Sequence, residues 1–471
     1  MPGVNPYSYS RERHLSHIST MRWAVIAVVV AAFVIRLIAL LAARDAILIM
    51  DEKSYWYRAN MLLDGKGFVG TYQSDHFKDY NPKDKTPEQL GAFQPPGYVA
   101  FIAGVMSVTG RNRNAVKLAQ VFLSCLTVLY VYLIGRAWFD HQRGLIAAWI
   151  CALYPNLIAF SHLFWSETLF IFLLVAAVYF LTRTRGLPSL ISCIIAGILL
   201  GLSALTRSSI VYFLPLLVAW MVVVYRPQWR RAAVRLALVV VITMAVILPL
   251  TIRNYNVYNG FVLIDTCGPF DIWRGNVPHT FRDPNYPPML YYEWPFHDIP
   301  VFPAFWQTQE ALVELVRRDL HIANPTDLQV ARYALKAAWI SIIGDPADFI
   351  KRAWYKMIDM WNPTSFLVRH FHPVFNAYGP VRTIVKIFCS WAAIISYVAV
   401  MALGLAGMIM LRYDSRAWLV ILLILFYNTA IIVTFGLTRF RLPLMPFIII
   451  MAAHAIWSTA RTFLRADISY D

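Results

Sequence analysis

The chain has 471 residues, 59% of them hydrophobic and 14% charged, with a mean hydropathy of +0.54. A soluble domain cannot bury that much apolar surface, which leaves a polytopic membrane protein. The formal net charge of +16 does not mark a nucleic-acid binder, because the arginines stand between apolar runs, as topology signals and anchors for anionic lipid.

Arg11, Arg13 and Arg22 precede an apolar run from Trp23 to about Ala43. That run is too long for the apolar region of a cleaved signal, so an uncleaved first helix with a cytoplasmic N-terminus is expected. Further windows near the ~20-residue bilayer requirement lie at 114–138, 145–162, 164–181, 188–205, 209–225, 234–252, 384–411, 417–436 and 443–460, giving about ten spans. The expected fold class is all-α: one polytopic membrane helix bundle over residues 1–471, with outer-side loops and interfacial helices.

Alternate connections hold Arg136 and Arg143, Arg183 and Arg185, Arg226 to Arg235, Arg412 and Arg416, and Arg461 and Arg465. With the N-terminus in the cytoplasm all of these fall inside, and the C-terminus does too. Two large segments, about 45–113 and about 253–383, then fall outside. In the first, Pro95 and Pro96 interrupt any preceding helix, and the run from Tyr98 to Val108 is too short to cross, so it suits a helix in the outer interface. The second is rich in Trp, Tyr and Pro, which suits a compact cap at headgroup level.

Four of the five cysteines, Cys125, Cys151, Cys193 and Cys389, lie in predicted spans, and only Cys267 falls in a loop. No disulfide framework or CxxC metal site is supported. His370 and His372 lack a further ligand cluster, so zinc is not expected. A divalent cation has no second group of oxygen ligands in its favour. No P-loop or dinucleotide fingerprint is present.

The residues with chemical potential sit at the outer ends of the predicted spans. Asp51 and Glu52 follow the first span; Asp51, Tyr55, Ala59 and Leu62 share one helical face, with Gly65 and Gly67 placed to end it. Two readings of the acidic pair stand side by side. Asp51 is a helix N-cap with Glu52 favouring the dipole, or it is a general base whose pKa a water-poor cavity raises. Glu167 sits where two spans meet, either facing a cavity or in a solvated turn. Arg207, Arg253, Arg439 and Arg441 all break the positive-inside trend, and their guanidinium forks match a phosphate. Arg441 just precedes a helix start, where free N–H groups add to anion affinity; snorkelling to lipid phosphate is the alternative for any one of them. Asn254, Trp273, Arg274, Gly275 and Asn276 would suit a sugar-recognition surface, or an ordinary aromatic belt.

In order and side of the membrane, Asp51-Glu52 with Tyr55, Pro95-Pro96-Gly97-Tyr98, Glu167, Leu205-Thr206-Arg207, Arg253-Asn254-Tyr255 and Arg439-Phe440-Arg441-Leu442-Pro443 form one pattern. It resembles the GT-C class of integral membrane glycosyltransferases. The likeness is to the branch of dolichyl-phosphate-mannose:protein mannosyltransferases and of the bacterial transferases that move 4-amino-4-deoxy-arabinose onto lipid A. The resemblance implies a polyprenyl-phosphate sugar as donor, a lipid, glycan or protein acceptor, and transfer with inversion at the outer face of a bacterial inner membrane. It casts Asp51 as the first-loop catalytic aspartate and Arg207, Arg439 and Arg441 as donor-phosphate ligands. Gln94 departs from the eukaryotic pattern, which has His before the paired prolines. Neither the β-trefoil domain of those enzymes nor the soluble C-terminal domain of the lipid A enzymes is seen, so the sugar and acceptor do not transfer. A transporter or flippase of lipid-linked sugars is the competing class, though the repeated halves common in transporters are not seen. A scaffold would leave Asp51, Glu167 and the arginines without a role.

The map is checked by cysteines introduced in place of Asp75 and Gln228: they should react with impermeant thiol reagents from opposite sides of the membrane, and same-side labelling overturns it.

Overall fold

In hydrocarbon a backbone must satisfy its own hydrogen bonds, so apolar windows of this length become helices. All ten windows do so in the computed structural model, which describes residues 6–42, 44, 46, 48, 51–70, 90–277, 309–363 and 380–467. The helices of the first half are α1 Pro6–Ala42, α2 Asp51–Leu63, α3 Gly97–Thr109, α4 Arg113–Trp138, α5 His141–Leu153, α6 Pro155–Phe160, α7 Glu167–Thr182, α8 Leu190–Thr206 and α9 Leu214–Val224. Those of the second are α10 Trp229–Tyr258, α11 Cys267–Asn276, α12 Gln309–Leu320, α13 Asp327–Gly344, α14 Pro346–Trp361, α15 Pro380–Met410, α16 Ser415–Val433 and α17 Met445–Asp467, with a 3-10 segment, Thr438–Leu444, ahead of α17. Among the described residues there is no strand; Val69 and Leu90 form an isolated antiparallel bridge.

Among the described residues six helices are long and apolar enough to cross a bilayer: Met21–Ala42, Arg113–Trp138, Arg226–Tyr258, Ile387–Met410, Ser415–Val433 and Thr438–Thr462. The protein is therefore a multi-pass membrane protein. Three of the other windows give shorter apolar helices, Glu167–Thr182, Leu190–Thr206 and Ser208–Val224, as does the interfacial run at Gly97–Thr109, so of the expected ten spans six are long enough among the described residues. The window 145–162 shows why windows overcount. Pro155 has no N–H to give and its ring excludes the carbonyl of residue 151, so the helix breaks between α5 and α6. Arg36 of α1, fully buried, fills the gap. Its guanidinium donates to the carbonyls of Ala152 at 2.9 Å and Cys151 at 3.4 Å, and to Ser124 Oγ at 2.7 Å.

Helix contacts are set by small residues, as expected where lipid competes for every apolar surface. A carbon added at Gly201 of α8 would stand 2.6 Å from Val246 Cβ of α10, and one at Gly407 of α15 would stand 2.0 Å from the Met451 carbonyl oxygen of α17. Beside this core lies a smaller one, where α11, α12 and α13 bury Phe270, Trp273, Leu312, Val316 and Val330 against Phe93. Its helices belong to the segment 253–383, for which a cap is expected. Asp75, Pro278, Tyr291, Tyr292, Trp294, His370 and His372 lie outside the described residues.

Gly407→Val should drive α15 from α17 and lower the melting temperature in detergent, since overpacking costs about 1–3 kcal/mol. Gly268→Ala, which meets nothing within 4 Å, should melt as the wild type does. Equal melting of the two would refute the close approach.

Candidate active site

Four ionisable side chains from four chain segments converge, each placed by a helix terminus. Asp51 is the first residue of α2 and Glu167 the first of α7, where the positive ends of the helix dipoles favour carboxylates. Arg207 takes extended φ and ψ of −146° and 104° just past α8, which turns its side chain out of that helix. Arg439 belongs to the 3-10 segment before α17. Its Nη1 donates to Asp51 Oδ2 at 2.8 Å, and its Nε is 3.8 Å from Glu167 Oε1. Arg207 Nη2 donates to the same Glu167 oxygen at 3.0 Å. The ring of Phe440 lies between the arginines, 5.5 Å from the Arg207 guanidinium carbon and 5.4 Å from that of Arg439.

The order Asp51, Arg439, Glu167, Arg207 alternates in sign, so the group is neutral as it stands. Glu167 is 1% exposed, whereas the Asp51 side chain is 31% exposed. The inner pair is thus fixed and the outer carboxylate reaches solvent. Burial pushes the Asp51 carboxyl up, but the charge and hydrogen bond of Arg439, with Arg274 and Arg207 behind it, hold it below the usual carboxylate range. The expected raised pKa is corrected on that ground. Tyr55, one turn along α2, packs edge-on against Tyr98 with centroids 4.8 Å apart. Burial first, and then the charges of Asp51 and Glu167, push its hydroxyl up to about 12, so it stays a donor.

The remaining expected site residues serve the frame. Glu52 is 4% exposed and its Oε1 accepts from the Phe164 backbone N–H at 2.8 Å. It ties α2 to the turn before α7, so its place is structural rather than catalytic. Asn254 is fully buried and donates to the Val262 and Ile264 carbonyls at 3.3 and 2.9 Å, which takes it out of any sugar surface. Trp273 and Asn276 are each 1% exposed, and Asn276 donates to the Val433 carbonyl at 2.7 Å. Arg253 donates to the Gly91 and Phe68 carbonyls at 2.7 and 2.8 Å. Arg441, expected as a phosphate ligand, is 2% exposed. It donates to the Met360 carbonyl at 3.0 Å and to that of Asn362, with Tyr397 under its guanidinium at 3.7 Å. It is corrected to a brace between α14 and the 3-10 segment: Arg439 and Arg441 point apart because the tight turn separates neighbours two residues on.

Two acidic residues at the site carry no mark in the sequence. Asp271 of α11 pairs with Arg274 at 2.8 Å, and Arg274 lies 3.5 Å over Phe435. Asp265 Oδ1 accepts from the Cys267 backbone N–H at 3.0 Å. Burial, with Asp271 adding to it, pushes the Asp265 carboxyl up to about 6, against its bonds to Ser208, Cys267 and Gly268. Even so, among the described residues no three His, Cys, Asp or Glu side chains are grouped to hold a metal ion.

With this geometry in hand, the comparisons with known proteins place the fold. The archaeal oligosaccharyltransferase from Archaeoglobus fulgidus, solved in complex with an inhibitory peptide and a dolichol-phosphate, superposes with a TM-score of 0.53 at 16% identity, over 96% of this chain and 52% of that one. In sequence, residues 93–252 match the family described as dolichyl-phosphate-mannose-protein mannosyltransferase. A similar curated protein is the undecaprenyl phosphate-alpha-4-amino-4-deoxy-L-arabinose arabinosyl transferase of Pseudomonas aeruginosa, 30% identical over 209 residues, or 43% of this chain and 35% of that protein. The chain thus matches over about a third of the length of its curated relatives.

Asp265 yields a pH test. Its folded pKa is raised above the usual 3.8 to about 6, so its contribution to stability is full below about pH 4 and is lost as the pH rises through 6. The wild type should therefore lose stability relative to Asp265→Asn between pH 4.5 and 7.5, by on the order of 2 kcal/mol. Parallel pH curves of melting temperature would remove the buried carboxyl.

Proposed function

We propose that the protein is an inverting glycosyltransferase that moves a sugar from a polyprenyl-phosphate donor to a hydroxyl acceptor, a lipid, glycan or protein, at the extracytoplasmic face of the membrane. The observation that carries this reading is the Asp51–Arg439–Glu167–Arg207 chain, which puts a proton acceptor and two guanidinium groups at one solvent-reaching point among helix ends. The names of the relatives support a lipid-phosphate-linked donor: the curated one takes its sugar from undecaprenyl phosphate, and the structural one was solved with a dolichol-phosphate. The comparisons lend no support to a transporter or flippase. The same reading puts both termini in the cytoplasm.

In this reaction the acceptor oxygen attacks the anomeric carbon from the face opposite the phosphate. A carbon–oxygen bond forms as the bond to the phosphate oxygen breaks, the hydroxyl proton passes to Asp51, and polyprenyl phosphate leaves with one more negative charge than it held as a diester. Stabilising that developing charge is the larger share of the work, and it falls to Arg439 and Arg207. Holding the acceptor in line is the rest.

Neutrality of the free site adds an order to the steps. Arg439 is committed to Asp51, so the donor phosphate binds by taking over that guanidinium. Once released, Asp51 loses the interaction that holds its pKa down while its burial persists, and it becomes a stronger base only when the donor is present. Glu167, too deeply buried to exchange, keeps Arg207 and Arg439 aimed at the phosphate.

Asp51→Asn should leave the protein folded and inserted and lower transfer by at least ~10²-fold, the scale of lost acid–base catalysis. It should also release Arg439, so native mass spectrometry should find more polyprenyl phosphate bound to this variant than to the wild type. Arg439→Ala should weaken donor binding well beyond Arg235→Ala, whereas Arg441→Ala should lower the melting temperature instead. Near-normal turnover by Asp51→Asn, or no polyprenyl-phosphate adduct on any form, sinks the assignment.

A further inference from the structure

The helix α11 carries a charged pair that the transfer steps leave unused. Asp271 and Arg274 stand one turn apart on one face of it, with Arg274 Nη2 2.8 Å from Asp271 Oδ1. Their side chains are 24% and 21% exposed, so both reach solvent, as Asp51 does. An ion pair of this spacing and exposure adds little to stability, so holding α11 together does not account for it.

A ladder of rings joins the pair to the Asp51 centre. The Arg274 guanidinium carbon lies 3.5 Å from the Phe435 ring centre and 5.0 Å from that of Phe270. Phe435 meets Phe440 edge-on with centroids 5.2 Å apart, and Phe440 is the ring between Arg207 and Arg439. The charges reach one another as well: Arg274 helps to hold the Asp51 carboxyl down, and Arg439 acts on Asp271 in the same sense. The face of α11 that carries the pair therefore flanks the Asp51–Arg439 contact.

This pair is held in place and has bonding capacity to spare. α11 is pinned to the end of α16, because a carbon added at Gly275 would collide with the Thr434 carbonyl oxygen and Asn276 donates to the Val433 carbonyl. Among the described residues Arg274 Nε has no hydrogen-bond partner. Asp271 Oδ2 has the Cys267 thiol, 3.8 Å away, and a carboxylate oxygen accepts more than one donor. The neighbouring Asp265 is already engaged by Ser208 and by the Cys267 and Gly268 backbone.

In an inverting transfer the sugar ring lies between the acceptor oxygen, which arrives on the Asp51 side, and the phosphate, which goes to Arg439 and Arg207. Side chains that flank this line meet the edge of the ring, where its hydroxyls project. Each hydroxyl both donates and accepts, and a carboxylate beside a guanidinium offers the complement of two adjacent ones. The two charges cancel, so a charged substituent gains nothing: Arg274 repels an ammonium group and Asp271 repels a carboxylate.

Resting on the transferase reading above, we propose that Asp271 and Arg274 select the transferred sugar by bonding adjacent hydroxyls of a neutral ring, and that they discriminate against amino sugars and uronic acids.

The test uses the full chain in non-ionic detergent and measures binding of short-chain polyprenyl phosphate, bare or carrying mannose, glucose, galactose, glucosamine or glucuronate. The wild type should bind at least one of the neutral sugar-lipids about 10-fold more tightly than the bare lipid, the scale of one or two added hydrogen bonds. It should bind the two charged ones no more tightly than the bare lipid. Asp271→Ala combined with Arg274→Met removes both charges together and keeps a flexible apolar side chain over Phe435. This double variant should bind the bare lipid as the wild type does and the neutral sugar-lipid no better. A double variant that still prefers the neutral sugar overturns the α11 site while the transferase reading stands, and one that also loses the bare lipid shows a pair serving fold or phosphate, which overturns it too. A wild type that prefers glucosamine or glucuronate, or none of the five sugars, overturns the neutral-ring assignment. Absence of any polyprenyl-phosphate binding removes the transferase reading, and this site with it.

Discussion

The contact between Arg439 and Asp51 is the interaction on which the site depends. Removing a charge from water costs several kcal/mol, and a buried ion is tolerated only where a partner and hydrogen bonds repay that loss. Asp51, Glu167, Arg207 and Arg439 meet this condition only together. Glu167, nearly sealed from solvent, is flanked by Arg207 and Arg439, and Arg439 lies between the two carboxylates. The group therefore holds four segments in register: the start of α2, the start of α7, the end of α8 and the 3-10 segment before α17. Its most exposed member is Asp51.

A second theme is the use of arginine to complete broken helices. Membrane helices interrupted by proline or by a turn leave carbonyl oxygens without partners, at a cost that hydrocarbon does not relieve. Arg36 serves the end of α5, Arg441 the end of α14, and Arg253 the two arms beside the Val69–Leu90 bridge. Each extends a charged side chain to neutral oxygens, and each would pass for a ligand-binding residue by position alone. Arg207 and Arg439 instead direct the guanidinium to carboxylates, Glu167 and Asp51. The chemistry of an arginine in this protein follows from what lies at the end of its side chain, a property of packing.

The cap region extends the same logic to polar side chains. Asn276 is held by Lys356 at 3.0 Å and by its own bond to the Val433 carbonyl. Asn254 closes the turn after α10 through the Val262 and Ile264 carbonyls. Amides that suggest sugar recognition in a linear reading are used to fix irregular backbone between helices, where a buried carbonyl has few other donors within reach.

Much of the fold was legible in the residues themselves. Hydrocarbon leaves a chain of this composition one choice of secondary structure, so the apolar windows are helical, 145–162 as two helices broken before Pro155, and α2 ends where Gly65 takes a φ of 73°, as a glycine placed there allows. The start of α3 after Pro95 and Pro96 follows from proline's fixed geometry in the same way. That Asp51, Glu167 and several arginines stand at helix ends was also legible, and charge at membrane depth is costly wherever it occurs. Pairing was not. That Arg439 reaches Asp51 across 388 positions while Arg441 turns to α14, that Glu52 ties down a backbone N–H while its neighbour faces solvent, and that Asp265 and Asp271 join the site depend on which helix ends meet. Local preference acts over a few residues, whereas the energy of a buried charge is settled by neighbours that only the folded bundle brings within a few ångströms.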